Sequence, residues 1–275
     1  MTTAPAPAPP VQRRGGGPGL PVPVAVLAWL GVAFLATPFV AMLVRTPWPR
    51  LVEILVQPEV AQALRLSLVA SVASLAVGCA LGLPLAWLFA RTEFPGKRLV
   101  RAVCVLPMVL PPIVGGVALL LAFGRRGVVG QPLDALTGLT LPFTTAGVVM
   151  AATFVAMPFL VVAVEAGLKA IDPELERAAA TLGADRWTVF RRVTLPLAAP
   201  AVRAGMAVCW ARALGEFGAT ITFAGSLPGR TQTLPLAIFL QLETDRDAAI
   251  VSSLLLLAVS VAVLVALRER YLGVG

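Results

Sequence analysis

Six apolar stretches, each about 20 residues or longer, dominate this chain, at 22–44, 61–90, 102–123, 144–166, 201–224 and 248–267. At 1.5 Å rise per residue, a helix of about 20 residues crosses the roughly 30 Å hydrocarbon core of a bilayer. An unpaired backbone group in hydrocarbon costs several kcal/mol, so only helices or a closed barrel can span it. The stretches are too long for barrel strands and do not alternate polar with apolar, which selects helices. Composition agrees. The chain is 58% hydrophobic and 13% charged, where a soluble domain carries about 25% charged residues, and its mean hydropathy is +0.89. The expected fold class is therefore all-α, a polytopic membrane protein with about six transmembrane helices. The 61–90 stretch is long enough to begin outside the bilayer. The 201–224 stretch is the least hydrophobic and holds Arg203, Arg212 and Glu216. No internal repeat is visible.

Residues 1–21 are rich in Ala, Pro and Gly and are expected to form a disordered cytoplasmic tail, leaving 22–275 as one transmembrane domain. Arg13 and Arg14 precede an apolar run, as in an export signal. That run is too long for a signal core and lacks a convincing small-residue cleavage site, so a first membrane helix is expected. With both termini inside, the inner segments hold 14 of the 22 basic residues and the outer segments seven, Arg212 lying within a span. This twofold bias supports that orientation. It also accounts for the net charge of +8 without a nucleic-acid partner. The chain has no histidine, and Cys79, Cys104 and Cys209 sit singly in apolar stretches, so no metal, cofactor or catalytic residue is expected. Its two lysines, Lys97 and Lys169, lie in no Gly-x-x-x-x-Gly-Lys-Ser/Thr loop. Energy for any transport would come from a partner or an ion gradient.

The 169–200 segment, KAIDPELERAAATLGADRWTVFRRVTLPLAAP, is far longer than the two to eight residues usual between helices. It describes two short helices. Asp172 can cap the first, Pro173 suits its first turn, and Glu174 and Glu176 suit its positive end. Leu175, Ala178, Ala179 and Leu182 share a face, and Gly183 can end the helix in a left-handed conformation. Asp185 can cap the second, where Trp187, Phe190 and Val193 share a face before Pro196 stops it. A small-residue patch beside aromatic and arginine residues suits docking to another protein. An amphipathic segment lying on lipid headgroups fits the residues equally well.

This segment resembles the cytoplasmic signature loop of ABC importer permeases: Glu-Ala-Ala, three residues, Gly, nine residues, Ile, one residue, Leu-Pro. Ala178, Ala179, Gly183, Leu195 and Pro196 fall at the matching spacing. Arg177 stands where that family has Glu, with Glu176 beside it as a possible substitute, and Val193 replaces Ile. The resemblance implies a MetI-like helical bundle and a coupling loop formed by Leu175, Glu176, Arg177, Ala178, Ala179, Leu182, Gly183, Trp187, Phe190, Leu195 and Pro196. It further implies two copies of an ATP-binding subunit, a homodimer of this chain, a periplasmic binding protein, and a place in the bacterial inner membrane.

The stretch ARALGEFGATITFAGSLPGRTQTLPLAIF, residues 211–239, is the second informative region. Arg212 and Glu216 are four apart and can pair on one helix face. They form either a packing ion pair or part of an anion pathway. Gly215, Gly218, Gly225 and Gly229 admit either a gate or close helix packing. Arg212, Glu216, Gly218 and Thr220 are the candidate pathway or gate residues. The strings Gly-Glu-Phe-Gly-Ala-Thr and Pro-Gly-x-Thr-x-Thr-Leu-Pro-Leu-Ala-Ile resemble molybdate importer permeases, with sulfate permeases similar but less close. Molybdate, or tungstate, is the substrate the resemblance implies, with sulfate or thiosulfate as the alternative. Arg125, Arg126 and Arg230 are expected near the outer face, as solvated charges or as an anion attractor. An ion-driven secondary transporter would show more buried acids than Glu165 and Glu216. A membrane enzyme would need a base beside a nucleophile, and none is evident.

Overall fold

The structure, a computed structural model, describes residues 21–272. The expected tail thus lies outside the described residues but for Pro21. The chain divides into two compact units, residues 1–45 and 46–275. In the first, helix α1 (Val22–Arg45) is apolar along its whole length and carries no charge before Arg45, as suits a helix bathed in lipid.

The second unit opens with a 3-10 turn (Trp48–Arg50), the short α2 (Leu51–Leu55) and the long α3 (Pro58–Arg91). Next come α4 (Lys97–Val109), α5 (Pro112–Phe123), α6 (Gly130–Thr137) and α7 (Thr145–Lys169). The 169–200 segment forms α8 (Pro173–Thr181) and α9 (Arg186–Val189), then a π turn (Phe190–Thr194). The chain closes with α10 (Leu195–Leu214), α11 (Gly218–Phe223), α12 (Leu234–Thr244) and α13 (Arg246–Leu272). The described residues form no strand. At 34 residues α3 is roughly 50 Å long, more than the bilayer core needs.

Helix α7 is the axle of this unit and packs against α3, α4, α5, α10 and α11. It is rich in Ala and Val and buries residues on every side, among them Ala151, Ala152, Val155, Ala156, Leu160 and Val161. Thr144 caps its start by accepting the Gly147 N–H at 3.0 Å. α3 offers α7 a stripe of small residues, Ser67, Ala70, Ser71, Ser74, Gly78 and Gly82, all buried. Such residues let membrane helices approach closely. Ser74 donates to the Val149 carbonyl at 3.1 Å, and Ser67 accepts the Leu234 N–H at the start of α12 at 2.7 Å. Cys209 sits in the central core, with Cys79 and Cys104 packed against it, so all three serve as apolar filling.

Among the described residues, five helices are long and apolar enough to cross a membrane: Val22–Arg45, Pro58–Arg91, Thr145–Lys169, Arg186–Leu214 and Arg246–Val263. The expected 102–123 span is not one helix. It breaks at Leu110 and Pro111, whose ψ values of 140° and 133° are extended. Each precedes a proline, Pro111 and Pro112, and a following proline disfavours helical geometry. The expected 201–224 span is also divided. α10 stops at Leu214, and Phe217, with φ −129° and ψ −57°, leads into α11.

The second halves of these two broken spans, α5 and α11, pack on each other through glycine. A Cβ on Gly116 would lie 2.6 Å from Thr222 Cβ and 3.0 Å from the Ala219 carbonyl. On Gly218 it would lie 2.8 Å from Pro112 Cβ. Gly116→Ala should therefore overpack the α5–α11 contact and lower stability by about 1–3 kcal/mol. Gly78→Ala should be neutral or stabilising, because its Cβ would meet Cys209 Sγ at an ordinary 3.4 Å. Thermal unfolding of the purified chain in detergent compares them, and matching midpoints would refute the tight contact.

Candidate functional site

The 169–200 segment, the candidate coupling loop, folds as its caps direct. Asp172 Oδ1 accepts the Glu174 N–H at 2.9 Å, with Pro173 opening α8. Gly183 ends the helix at φ +89°. The Ala184 N–H reaches the Ala179 carbonyl at 3.1 Å and the Gly183 N–H reaches that of Ala180 at 3.0 Å. This pair of bonds is the Schellman arrangement, and the left-handed residue it needs is cheapest as glycine. Asp185 Oδ1 then caps α9 by accepting the Thr188 N–H at 3.2 Å. Bonds from the Thr188 hydroxyl, and then from its amide, hold the Asp185 carboxyl below its ordinary range. The cap is fully charged at neutral pH, and its stabilisation fades as pH falls through that lowered value.

Pro196 does not stop the second helix, contrary to the sequence expectation. The Leu195 N–H bonds five residues back to the Phe190 carbonyl, forming the wider π turn of Phe190–Thr194. That extra residue absorbs the proline, and the path continues into α10. Coupling loop and membrane helix are thus one continuous helical rod, Arg186–Leu214.

The loop is clamped to the end of α3 through Arg91, Thr194 and Trp87, which the sequence reading did not single out. Glu176 Oε1 receives Arg91 Nη2 at 2.8 Å and the Thr194 hydroxyl at 2.7 Å. Thr194 is buried, and the Arg91 and Glu176 side chains are only 17% and 23% exposed. One turn before Arg91, Trp87 meets Phe190 edge-on at 5.1 Å, and Phe190 stacks on Trp187 at 5.5 Å. Trp87 and Arg91 are four apart at the end of an apolar run, a one-face pattern that could have flagged them. Arg177 instead points to solvent and pairs with Glu174.

The same end of the molecule carries a second ionic strut. Glu165, 2% exposed, receives Arg101 of α4 at 3.0 Å and Lys169 at 2.6 Å. The outward face of the loop stays apolar: Leu175 is 49%, Leu182 89% and Trp187 64% exposed. Ala178 is exposed as well, and Leu195 is 44% exposed.

The candidate pathway residues gather at the α10–α11 break. Arg212 Nη1 lies 2.6 Å from Glu216 Oε2, and Glu216 Oε1 caps α11 by accepting the Ala219 N–H at 2.8 Å. Glu216 is 2% exposed and Arg212 about a quarter exposed. Gly218 is buried against Pro112, and Thr220 is buried with a hydroxyl that has no partner among the described residues. Arg125 and Arg230 lie at the far end of α7 from the coupling loop, where Thr145 donates to the Arg230 carbonyl at 2.9 Å.

Glu176→Gln and Arg91→Met should each cost about 1–3 kcal/mol by stranding a half-buried partner. The double variant should cost less than the two together. Thermal unfolding across the four proteins measures this, and strict additivity would mean the clamp contributes nothing.

The family described as binding-protein-dependent transport system inner membrane component matches residues 82–272. The molybdenum transport system permease protein ModB of Mycobacterium tuberculosis is 46% identical over 251 residues, covering 91% of this chain and 95% of that protein. ModB of Escherichia coli K12 is 41% identical, covering 80% and 96%. The sulfate transport system permease protein CysT of the same organism is 36% identical, covering 82% and 81%. Among solved structures, a bacterial ABC transporter importing the acidic polysaccharide alginate superposes with TM-score 0.74 at 18% identity, covering 92% and 93%. The MetNI methionine ABC transporter superposes with TM-score 0.63 at 21% identity, covering 78% and 96%. The chain therefore belongs to the binding-protein-dependent transport system inner membrane component family, as a multi-pass, MetI-like permease.

Proposed function

We propose that this chain is the membrane-spanning subunit of an ATP-driven importer of molybdate. The observation that carries the importer reading is the coupling loop: a twice-capped, apolar-faced element, clamped by Glu176 and continuous with a membrane helix. A stiff lever of that kind can pass a partner's movement into the bilayer. Molybdate rests on the identity to the two ModB proteins, and sulfate or thiosulfate is the second reading, supported by CysT at lower identity.

Each chain supplies one coupling loop, whereas ATPases of this kind work in pairs. A homodimer of this chain with two ATP-binding subunits and one periplasmic oxyanion-binding protein is the assembly that fits. The coupling loop then faces the cytoplasm, as do both termini, which agrees with the basic-residue bias. Closure of the ATPase pair would draw the loops together and open the outer mouth. The break between α10 and α11, with Arg212, Glu216, Gly218 and Thr220 around it, is the natural place for the pathway to gate. Its support is the interrupted helix, the part-exposed arginine and the unpartnered Thr220 hydroxyl.

Radiolabelled molybdate uptake into proteoliposomes holding all three components tests this reading. Uptake should require internal ATP and survive collapse of ion gradients, and uptake with the opposite requirement would contradict it. Gly183 separates coupling from folding. Apart from its two chain neighbours, no atom of the described residues lies within 4 Å of a Cβ placed there, and its φ of +89° strains any side chain. Gly183→Asn accepts that conformation and should retain most uptake. Gly183→Trp adds bulk only on the docking side and should cut uptake at least about tenfold, or uncouple hydrolysis from transport. Equal uptake by the two variants would count against docking.

A further inference from the structure

We propose that the concavity framed by Arg125 and Arg230, at the outer end of α5, is a capture site for a tetrahedral oxyanion. There the binding protein's cargo first touches the permease. The assignment rests on the oxyanion-importer reading above and adds a specific site to it.

Arg125, just past the end of α5, and Arg230, in the turn before α12, line one cavity of about 340 Å³. Its other walls are Leu120, Gly124, Thr140, Pro142 and Phe143, with no carboxylate among them. Among the described residues, neither guanidinium forms an ion pair, whereas Arg50, Arg91, Arg101, Arg177 and Arg212 all do. Both arginines are exposed and line the same space, and a doubly charged anion held between them would offset their mutual, partly screened repulsion. Each guanidinium offers a planar fork of donors that matches an oxyanion edge, and the Thr140 hydroxyl can add another. The volume admits such an anion with several of its waters, since a water takes about 30 Å³.

The backbone around the cavity is also unusual. Phe143 has φ +59°, the only positive φ outside glycine among the described residues. Its ring presses on Gly225, itself at φ +70°, where a Cβ would lie 3.1 Å from the ring. A bulky residue held in the left-handed region costs energy and recurs at ligand sites. Here it stands the ring in the cavity wall beside the arginines. The cavity lies about 36 Å from the coupling loop along the 25 residues of α7. It sits at the Leu120–Gly124 end of α5, about 12–18 Å beyond the Pro112 end on which Gly218 of the proposed gate packs. A phospholipid headgroup presents the same phosphate chemistry, so the test must separate the two sources.

The permease–ATPase complex, without binding protein, is dialysed to equilibrium against labelled molybdate at low salt, in maltoside micelles and in phospholipid nanodiscs. Saturable binding is expected in both, weakened at least about tenfold by Arg125→Gln or Arg230→Gln. Arg126→Gln, which removes the same charge without lining the cavity, should change binding less than about twofold. The proposal is overturned by absence of saturable binding, by equal loss in all three variants, or by binding in micelles that vanishes in nanodiscs, which would assign the cavity to lipid phosphate. Uptake distinguishes the parent reading. Normal ATP-driven molybdate import with Arg-independent binding would sink only the capture site. Arg-dependent binding without molybdate import would sink only the importer assignment.

Discussion

One carboxylate, Glu176, ties the proposed coupling loop to two membrane helices. Glu176 takes a guanidinium from the end of α3 and a hydroxyl from the start of the α10 rod. Without it, α8 would hang from the bundle by Ala170–Asp172 on one side and Leu182–Asp185 on the other. On the proposed docking role, a push on the exposed face of Leu175, Leu182 and Trp187 would be delivered to two membrane helices at once. Trp87 and Phe190 thicken the same joint with apolar contact. The joint is partly shielded from water, where an ion pair is less screened than at the surface and costlier to break from one side.

The rest of the second unit is packed around α7. α7 packs tightly on α3 and α10 through serine, glycine and alanine, leaving few flexible side chains to absorb displacement. Glu165 ties α4 to α7 at the same end through Arg101 and Lys169. The 102–123 and 201–224 regions are each broken, and their second halves, α5 and α11, pack face to face through glycine.

Much of this was legible from residue patterns, and the exceptions have physical causes. Asp172, Pro173, Gly183 and Asp185 announced two capped helices because capping depends on local backbone chemistry alone. Hydropathy found the apolar stretches but read straight through Leu110–Pro112, because a window average counts proline as neutral where geometry does not. Glu216 was visible as a buried acid, yet its work of capping α11 depends on a break that only tertiary packing reveals. Pro196 was taken as a helix stop, since nothing local signals the π turn that relieves it. Arg91 and Trp87 were passed over because their partners lie some 85 to 100 residues away in sequence. Long-range pairing of that kind leaves no mark on either segment alone.

The central claim is that the exposed tip of the coupling loop lies in the cytoplasm against an ATP-binding subunit. It is tested most directly by placing one cysteine there, Leu182→Cys, in a chain whose Cys79, Cys104 and Cys209 are replaced by alanine. In sealed vesicles of known orientation, a membrane-impermeant thiol reagent should reach that cysteine only from the cytoplasmic side. A short bifunctional cross-linker should join it to the ATP-binding subunit. Labelling from the external side, or labelling from the cytoplasmic side with no cross-link in an intact, transporting complex, would contradict the account.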